Sequence, residues 1–423
     1  MTRYGITVDP MPALPDRADL VIIGAGAAGL AAAIFAAKRN PNRVIAVLDG
    51  AKKLGAKILV SGGGRCNVTN KVVTPADFCG GSPNVIRRVL QCLSVSQTVE
   101  FFREIGVALH EEEHGKLFPD SNSAKTVLGA LLSEARRRGV QLLPGHRVET
   151  VERRNEEYEV TTALSGIVAK RIVLATGGQS LPKTGSDGHG YAIAQHLGHG
   201  LVPTTPALVP LILDGSFHQP LSGISHIVEL TVHMQGEKPI RHHGSLLWTH
   251  FGVSGPVVLD VSRLWHRARL ENRAARISMN MLPGESFESA ERLLMDLTSA
   301  QPRVHLHNAL AKFLAVRLAE ALVQQAGIPR ETALAHLSRD QRRRIVHALT
   351  ETDLPILDSR GYGFAEVTAG GIPLDEIDPR TMESRISPGL HLIGEILDVD
   401  GRIGGFNFQW AWSGAWVAAA GLD

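Results

Sequence analysis

The feature that most constrains this sequence is an uncharged run of 18 residues, Leu20 to Ala37. An apolar run of that length either crosses a membrane as one helix or is buried inside a protein. Leu20-Val21-Ile22-Ile23 is largely β-branched and suits a strand, whereas Gly24, Gly26 and Gly29 would weaken one continuous helix. The run is therefore read as a strand, a tight turn and an alanine-rich helix expected from Leu30 to Lys38. That order makes Gly24-Ala25-Gly26-Ala27-Ala28-Gly29 the G-x-G-x-x-G turn of a doubly wound α/β fold. Gly24 allows the turn and Gly26 lets backbone approach a pyrophosphate. Gly29 lets helix and strand pack closely, leaving the phosphates at the positive helix N-terminus beside Ala27 and Ala28.

A second strand is expected at Val44 to Leu48, followed by Asp49. This carboxylate stands 20 residues after Gly29, where such folds offer an acceptor to the adenosine ribose. Two later runs narrow the dinucleotide to FAD. Arg171 to Gly178 reads as a buried strand ending in the small-residue turn Thr176-Gly177-Gly178. Leu390 to Glu395 reads as a short strand ending in Gly394 and an acid. A flavoprotein uses the first turn beside the cofactor and the second near the ribityl chain and pyrophosphate, next to a final helix. Val148 is taken as a further cofactor contact. No second G-x-G-x-x-G follows a strand, so an NAD(P)H donor is expected to visit transiently rather than to occupy its own domain.

Between these sites lies Ser61-Gly62-Gly63-Gly64-Arg65-Cys66-Asn67, a glycine loop whose N–H groups can face a ligand. Near the other end, Asp398, Gly404, Gly405 and Asn407 lead into an alanine-rich helix expected from Trp412 to Ala420. Amides of this stretch such as Asn407, with backbone N–H groups, are expected to hydrogen-bond the flavin pyrimidine ring, and Asn67 is taken as a further cofactor contact. Cys66, mostly protonated at neutral pH with an ordinary thiol pKa of about 8.5, has two readings. It is either a proton donor to a substrate carbon or a small residue packed in a tight loop. Arg65, His250 and His189 are candidates for polarising a substrate carbonyl, with a structural role open for each histidine.

The motifs Ser-Gly-Gly-Gly-Arg-Cys-Asn-Val-Thr-Asn at Ser61, Thr-Ala-Gly-Gly-Ile at Thr368, Met-Glu-Ser-Arg at Met382 and Gly-Glu-Ile-Leu-Asp-Val-Asp-Gly at Gly394 resemble the BaiN-like FAD-dependent oxidoreductases, also called the aminoacetone oxidase family. The resemblance runs from about residue 18 to 421. It implies a discontinuous FAD-binding domain, 1–200 with 356–423, around an inserted substrate domain, 201–355. The insertion would have a β-barrel-like part at 201–284 and a helical part at 285–355. Proline punctuation and short β-rich runs at Ala207–Leu213, His226–Met234, Ser245–Trp248 and Ala275–Met281, then helically spaced leucines from Ser286 to Thr350, agree with that division. The resemblance also implies reduction of an activated carbon–carbon double bond by hydride from flavin N5, with uridine in ribosomal RNA among the family's substrates. Two other readings stay open: a flavin oxidase of a small amine or amino ketone using O2, and an FAD-stabilised RNA-binding or ribosome-associated factor without catalysis.

Charge bears on the partner. Lys and Arg number 44 against 42 Asp and Glu, so no polyanionic partner follows from the whole chain. Residues 260–350, however, hold fourteen Arg or Lys against nine acids. Arg342-Arg343-Arg344 with Arg263, Arg267 and Arg269 are the first candidates for a phosphate-binding face, the plainer reading being a solvated helix surface. Three cysteines, Cys66, Cys79 and Cys92, fit neither a disulfide framework nor a zinc site, so a reducing cytoplasm and no metal are expected. The leading segment, with Asp9, Asp16 and Arg17 and no apolar core, does not read as a secretory signal.

Overall fold

A computed structural model describes residues 13–422, so Asp9 lies outside the described residues. Two compact units divide the chain. The first runs up to Thr204 and resumes at Glu366; the second is Thr205–Ala365, ending ten residues beyond the expected 355.

Five parallel strands centre the first unit, in the order Leu390–Leu392, Gly166–Leu174, Arg17–Ile23, Ile45–Asp49 and Gln141–Pro144. The register aligns their ends: Ile23 pairs Leu48 and Leu174, and Leu174 pairs Leu392. An antiparallel hairpin, Val148–Arg154 and Glu157–Thr162, extends from Gly166–Leu174. The long apolar run divides as its glycines require, into the strand Arg17–Ile23 and the helix Ala27–Arg39. Among the described residues no helix is long and apolar enough to cross a membrane.

The first helix starts at Ala27, three residues before the expected Leu30, and takes Gly29 into its first turn. A Cβ at Gly29 would lie 1.9 Å from the Gly24 carbonyl oxygen, so only glycine permits this approach. The helix packs along the C-terminal helix Phe406–Gly421. That second helix begins six residues before the expected Trp412, immediately after the Gly404-Gly405 turn. Both are buried nearly all round, and small alanines allow that closeness.

The second unit has its own core, around a seven-stranded antiparallel sheet ordered Thr352–Asp353, Ala275–Asn280, Ser225–Met234, Ile240–Thr249, Gly252–Ser254, Leu211–Leu213 and Ile356–Ser359. Its two edge strands are halves of one segment, parted only by Leu354 and Pro355, so the sheet curls back on itself like a barrel. The expected strand Ala207–Leu213 is shortened to Leu211–Leu213, because Leu208 turns left-handed at φ 50. Within the part expected to be β-rich, Pro256–Leu270 is a helix burying Val257, Val258, Val261, Trp265 and Ala268 against the sheet. The helical part comprises Phe287–Ala300, Leu306–Leu310, Val316–Gln325 and Arg339–Thr350.

Candidate cofactor site

The sequence places its cofactor residues in widely separated stretches, and the parallel register gathers them. Gly24 follows Ile23, Asp49 ends its strand, Ala175 and Thr176 follow Leu174, and Gly394 follows Leu392 by two residues. All therefore emerge at one carboxyl edge, where open α/β sheets bind their ligands. Backbone bonds carry the ladder into the turns: the Gly24 N–H donates to Leu48 O (2.8 Å), Ala175 to Ile23 O (2.8 Å) and Ile393 to Leu174 O (3.1 Å). At Gly24, with φ +104, a Cβ would stand 2.4 Å from the Ala175 carbonyl oxygen.

Three observations fit an adenine–flavin dinucleotide to this edge. The helix that starts at Ala27 and the one that starts at Phe406 have glycine N-caps, no side-chain cap and no acid in the first turn. Their first N–H groups and positive ends are thus available to an anionic or electron-rich partner. A Cβ at Gly26 or Gly63 would meet nothing within 4 Å, so open space adjoins both turns. Finally, among the described residues Thr176 Oγ1 is buried without a hydrogen-bond partner, and an orphaned hydroxyl there calls for a polar ligand atom. Val148 is buried in its hairpin opposite Thr162.

Several expected ligand groups are instead occupied by the protein's own backbone. Asp49 accepts from the Ala25 N–H (2.7 Å) and the Ala51 N–H (2.8 Å), which locks the carboxylate to the glycine turn. Burial raises its pKa, against the lowering effect of those two bonds. Ribose hydroxyls would share oxygens that each keep a second lone pair. Asn407 holds the Gly401 N–H (2.8 Å) and C=O (2.9 Å). With its amide nitrogen toward the Thr69 and Leu117 carbonyls (2.9 and 3.2 Å), Asn67 accepts from the Gly405 N–H at 3.1 Å. Both amides, expected among the cofactor contacts, brace the turns, because buried loop backbone needs partners that no ladder supplies.

Glu395 behaves likewise. One oxygen accepts from Ser180 Oγ (2.7 Å) and the Thr368 N–H (3.0 Å), and the other takes the Lys57 ammonium. Lys57 also reaches Ser180, and Thr368 Oγ1 accepts from the N–H groups of Gln179 (2.8 Å) and Ser180 (3.0 Å). This network fixes the Gly177-Gly178 turn to the short helix Ala56–Val60. A Cβ at Gly178 would lie 2.4 Å from Thr368 Oγ1, and one at Gly177, where φ is +73, would lie 2.3 Å from Ser186 Oγ. Sequence reading missed Lys57, Ser180 and Thr368, although Thr368 opens a quoted motif and Lys57 lies four residues before the glycine loop. It also missed the buried chain Ser384–His199–Glu376, with Ser384 Oγ 2.8 Å from His199 Nε2 and His199 Nδ1 2.7 Å from Glu376. The order of groups is that of a nucleophilic triad, yet Ser384 is 4% exposed and its oxygen accepts from the Ile386 and Ser387 N–H groups. It braces the edge hairpin.

The glycine loop is left-handed at Gly62, Gly63 and Gly64, and again at Cys66 with φ 64. The Cys66 N–H donates to Ser61 O (3.1 Å) and closes the turn. Its thiol is 0% exposed and burial pushes it up to about 12, so it stays protonated inside the core. The arrangement gives Cys66 a packing place; donating to a substrate carbon would require the loop to open. Arg65 points outward. Its guanidinium lies 4.1 Å from the Phe118 ring centroid and donates to Glu112 (2.5 Å), whose carboxyl Arg65 holds below the ordinary range. Asp398 lies on the segment between Gly394 and Gly404, its carbonyl accepting from the Gly81 N–H (2.8 Å).

His250 belongs to the second unit, exposed at the end of Ile240–Thr249 with its ring edge-on to Phe251. His189 begins the helix His189–His196 in the first unit, its Nε2 3.1 Å from Glu149 O. Arg342, Arg343 and Arg344 do not form one basic face. Arg342 donates to Glu291 (3.1 Å), Arg343 lies over Phe287 and Arg344 donates to Ala326 O (2.9 Å), because successive helical positions point about 100° apart. Arg269 lies over Trp265 and Arg267 stands 3.9 Å from Glu271.

Known proteins resemble the whole chain. The HI0933-like protein Rossmann domain matches residues 18–421. A ribosomal RNA dihydrouridine synthase of Escherichia coli (strain K12) is 36% identical over 96% of this chain and 98% of its own length. A 3-dehydro-bile acid delta(4,6)-reductase of Clostridium scindens is 31% identical over 94% and 97%. Among solved structures, a 3-ketosteroid delta1-dehydrogenase of Sterolibacterium denitrificans shares the fold at 13% identity, with a TM-score of 0.50 over 96% of this chain and 99% of that one. The chain thus belongs to the HI0933-like family of FAD-dependent oxidoreductases.

Proposed function

We propose that the enzyme reduces a carbon–carbon double bond conjugated to a carbonyl, and that its substrate is uridine in ribosomal RNA. The observation that carries this reading is the pair of full-length relatives. One is named for dihydrouridine formation in ribosomal RNA, the other for reducing a bile acid at delta(4,6). Their substrates differ in size and polarity, and a double bond polarised by a carbonyl is the chemistry common to a uracil ring and a dehydro bile acid. The higher identity, 36% against 31%, favours the RNA base.

When bound, FAD supplies the hydride, and NAD(P)H is the proposed donor that replenishes it. The chain's residues supply the rest. The N-termini at Ala27 and Phe406 stabilise negative charge, and Thr176 offers its hydroxyl. The Lys57–Glu395–Ser180–Thr368 network holds the turn rigid. Arg65, which donates to Glu112, is proposed as a donor to a substrate carbonyl oxygen. Cys66 is proposed to shape the loop rather than to transfer the proton. Deleting the gene should remove one dihydrouridine from ribosomal RNA, read by mass spectrometry of nuclease fragments, and an unchanged profile would overturn the reading.

A further inference from the structure

We propose that Phe251, Arg360 and Phe364, with His250 at their edge, form a stacking site for a planar nucleobase on the second unit. This rests on the reading above and deepens it, naming where a base of the RNA is held. The local chain builds the site. Leu211 pairs Val253 on one side and Ser359 on the other, so Leu211–Leu213 is flanked by the strand that follows Phe251 and the strand that precedes Arg360. Gly252 allows the first approach, since a Cβ there would stand 2.4 Å from the Leu211 carbonyl oxygen. The Arg360 N–H donates to Pro210 O (3.0 Å). Gly361 then turns left-handed, with φ +67, and its carbonyl accepts from the Phe364 and Ala365 N–H groups (3.0 and 3.1 Å). The turn folds Phe364 back over the arginine.

The guanidinium carbon of Arg360 lies 3.3 Å from the Phe364 ring centroid and 4.7 Å from that of Phe251. Other arginines of this unit pair with acids: Arg276 with Asp353, Arg330 with Glu320 and Arg342 with Glu291. Arg360 meets aromatic faces, and among the described residues no carboxylate lies within ion-pair distance of its side chain. Stacking covers the guanidinium faces and leaves its in-plane N–H donors at the edge, the geometry that hydrogen-bonds a carbonyl in the plane of a base. Phe364 is 49% exposed although the arginine covers one face, so its other face is open. His250 adds an exposed ring with a hydrogen-bonding nitrogen 5.1 Å, centroid to centroid, from Phe251. A cation at the edge and an open π-face beside it select a planar ring carrying carbonyl oxygens, as uracil does, over an aliphatic skeleton.

The test uses the full-length FAD-loaded protein and a fluorescein-labelled twelve-nucleotide oligouridylate, with anisotropy titrations at two salt concentrations. Phe364→Ala should weaken binding about five- to 150-fold, the loss of one base–aromatic stack, without changing the salt slope. Phe364→Trp should bind at least as well as wild type, and Arg360→Lys should fall between, having charge without the planar fork. Equal affinity for Phe364→Ala and wild type, or no binding by wild type, overturns the site. Wild type that binds oligouridylate but leaves ribosomal RNA unreduced overturns the functional reading and keeps the site. Wild type that reduces ribosomal RNA, with Phe364→Ala unchanged in KM, overturns the site and keeps the reading.

Discussion

Gly26 and Gly29 stand three residues apart in one turn, yet alanine at the two positions should fail in opposite ways. At Gly29 a Cβ would be 1.9 Å from the Gly24 carbonyl oxygen, well inside contact distance, so helix and strand must separate and the fold loses stability. At Gly26 the backbone is extended at φ −79 and ψ −166, and a Cβ would meet nothing within 4 Å. Gly26→Ala should therefore fold at least as stably as wild type, with a gain of roughly 0.4–1 kcal/mol from the restricted unfolded chain. The added methyl stands in the space before the uncapped helix, where the pyrophosphate is proposed to lie. Losing one or two charge-assisted bonds, about 1.5–3 kcal/mol each, weakens FAD binding by a factor of ten or more. The assay pairs thermal unfolding of apoprotein with flavin fluorescence quenching on titration with FAD. If Gly26→Ala took up FAD as tightly as wild type, the pyrophosphate would not lie at this turn, and the placement of the cofactor would be wrong.

The geometry fixes further outcomes around Lys57, Cys66 and the buried histidines. Lys57→Met leaves Glu395 partly buried without its cation and should cost about 1–3 kcal/mol in urea unfolding, less than a fully buried pair because both groups keep some exposure; an unchanged midpoint would mean that the network braces nothing. Cys66 should resist iodoacetamide in the folded protein while exposed Cys79 and Cys92 react, and Cys66→Ala should keep its flavin and most of its turnover; a thousandfold loss of kcat with full flavin content would put the thiol against substrate. Burial holds His226 and His266 down at about 4, and His226 accepts from Trp248 Nε1, so both are neutral when folded. The unfolded chain binds protons below about pH 6.5, so stability complete above that value should fall progressively toward pH 4, and His226→Gln should flatten the slope measured by denaturant titration.

The parallel-sheet half of the molecule was legible because its constraints are local. Glycine spacing, a β-branched run and an acid after the second strand each act within about thirty residues, and the register that joins Ile23, Leu48, Leu174 and Leu392 follows from the fold class. What escaped were side chains whose partners lie far along the chain. Lys57 and Glu395 are 338 residues apart, Asn67 meets Gly405, and nothing in sequence spacing says that an amide will brace a turn rather than face a ring. Cys66 was open between two roles because a motif reports residue type and not depth. The arginine run at 342–344 read as one patch because consecutive letters hide a helical rotation of about 100° per residue. Helix starts were misplaced by three and six residues for one reason: after Gly26 and Gly405 the helix begins at once, needing no polar cap.

The proposed reaction is the FAD-dependent reduction of a base of ribosomal RNA. The most direct test incubates FAD-loaded protein anaerobically with NADPH and ribosomal RNA transcribed without modifications, then measures the mass of each uridine-containing fragment. One fragment should be heavier by about two mass units, dependent on both cofactors. No mass gain anywhere, together with rapid reoxidation of the reduced flavin by O2 in the presence of a small amine or amino ketone, would contradict it.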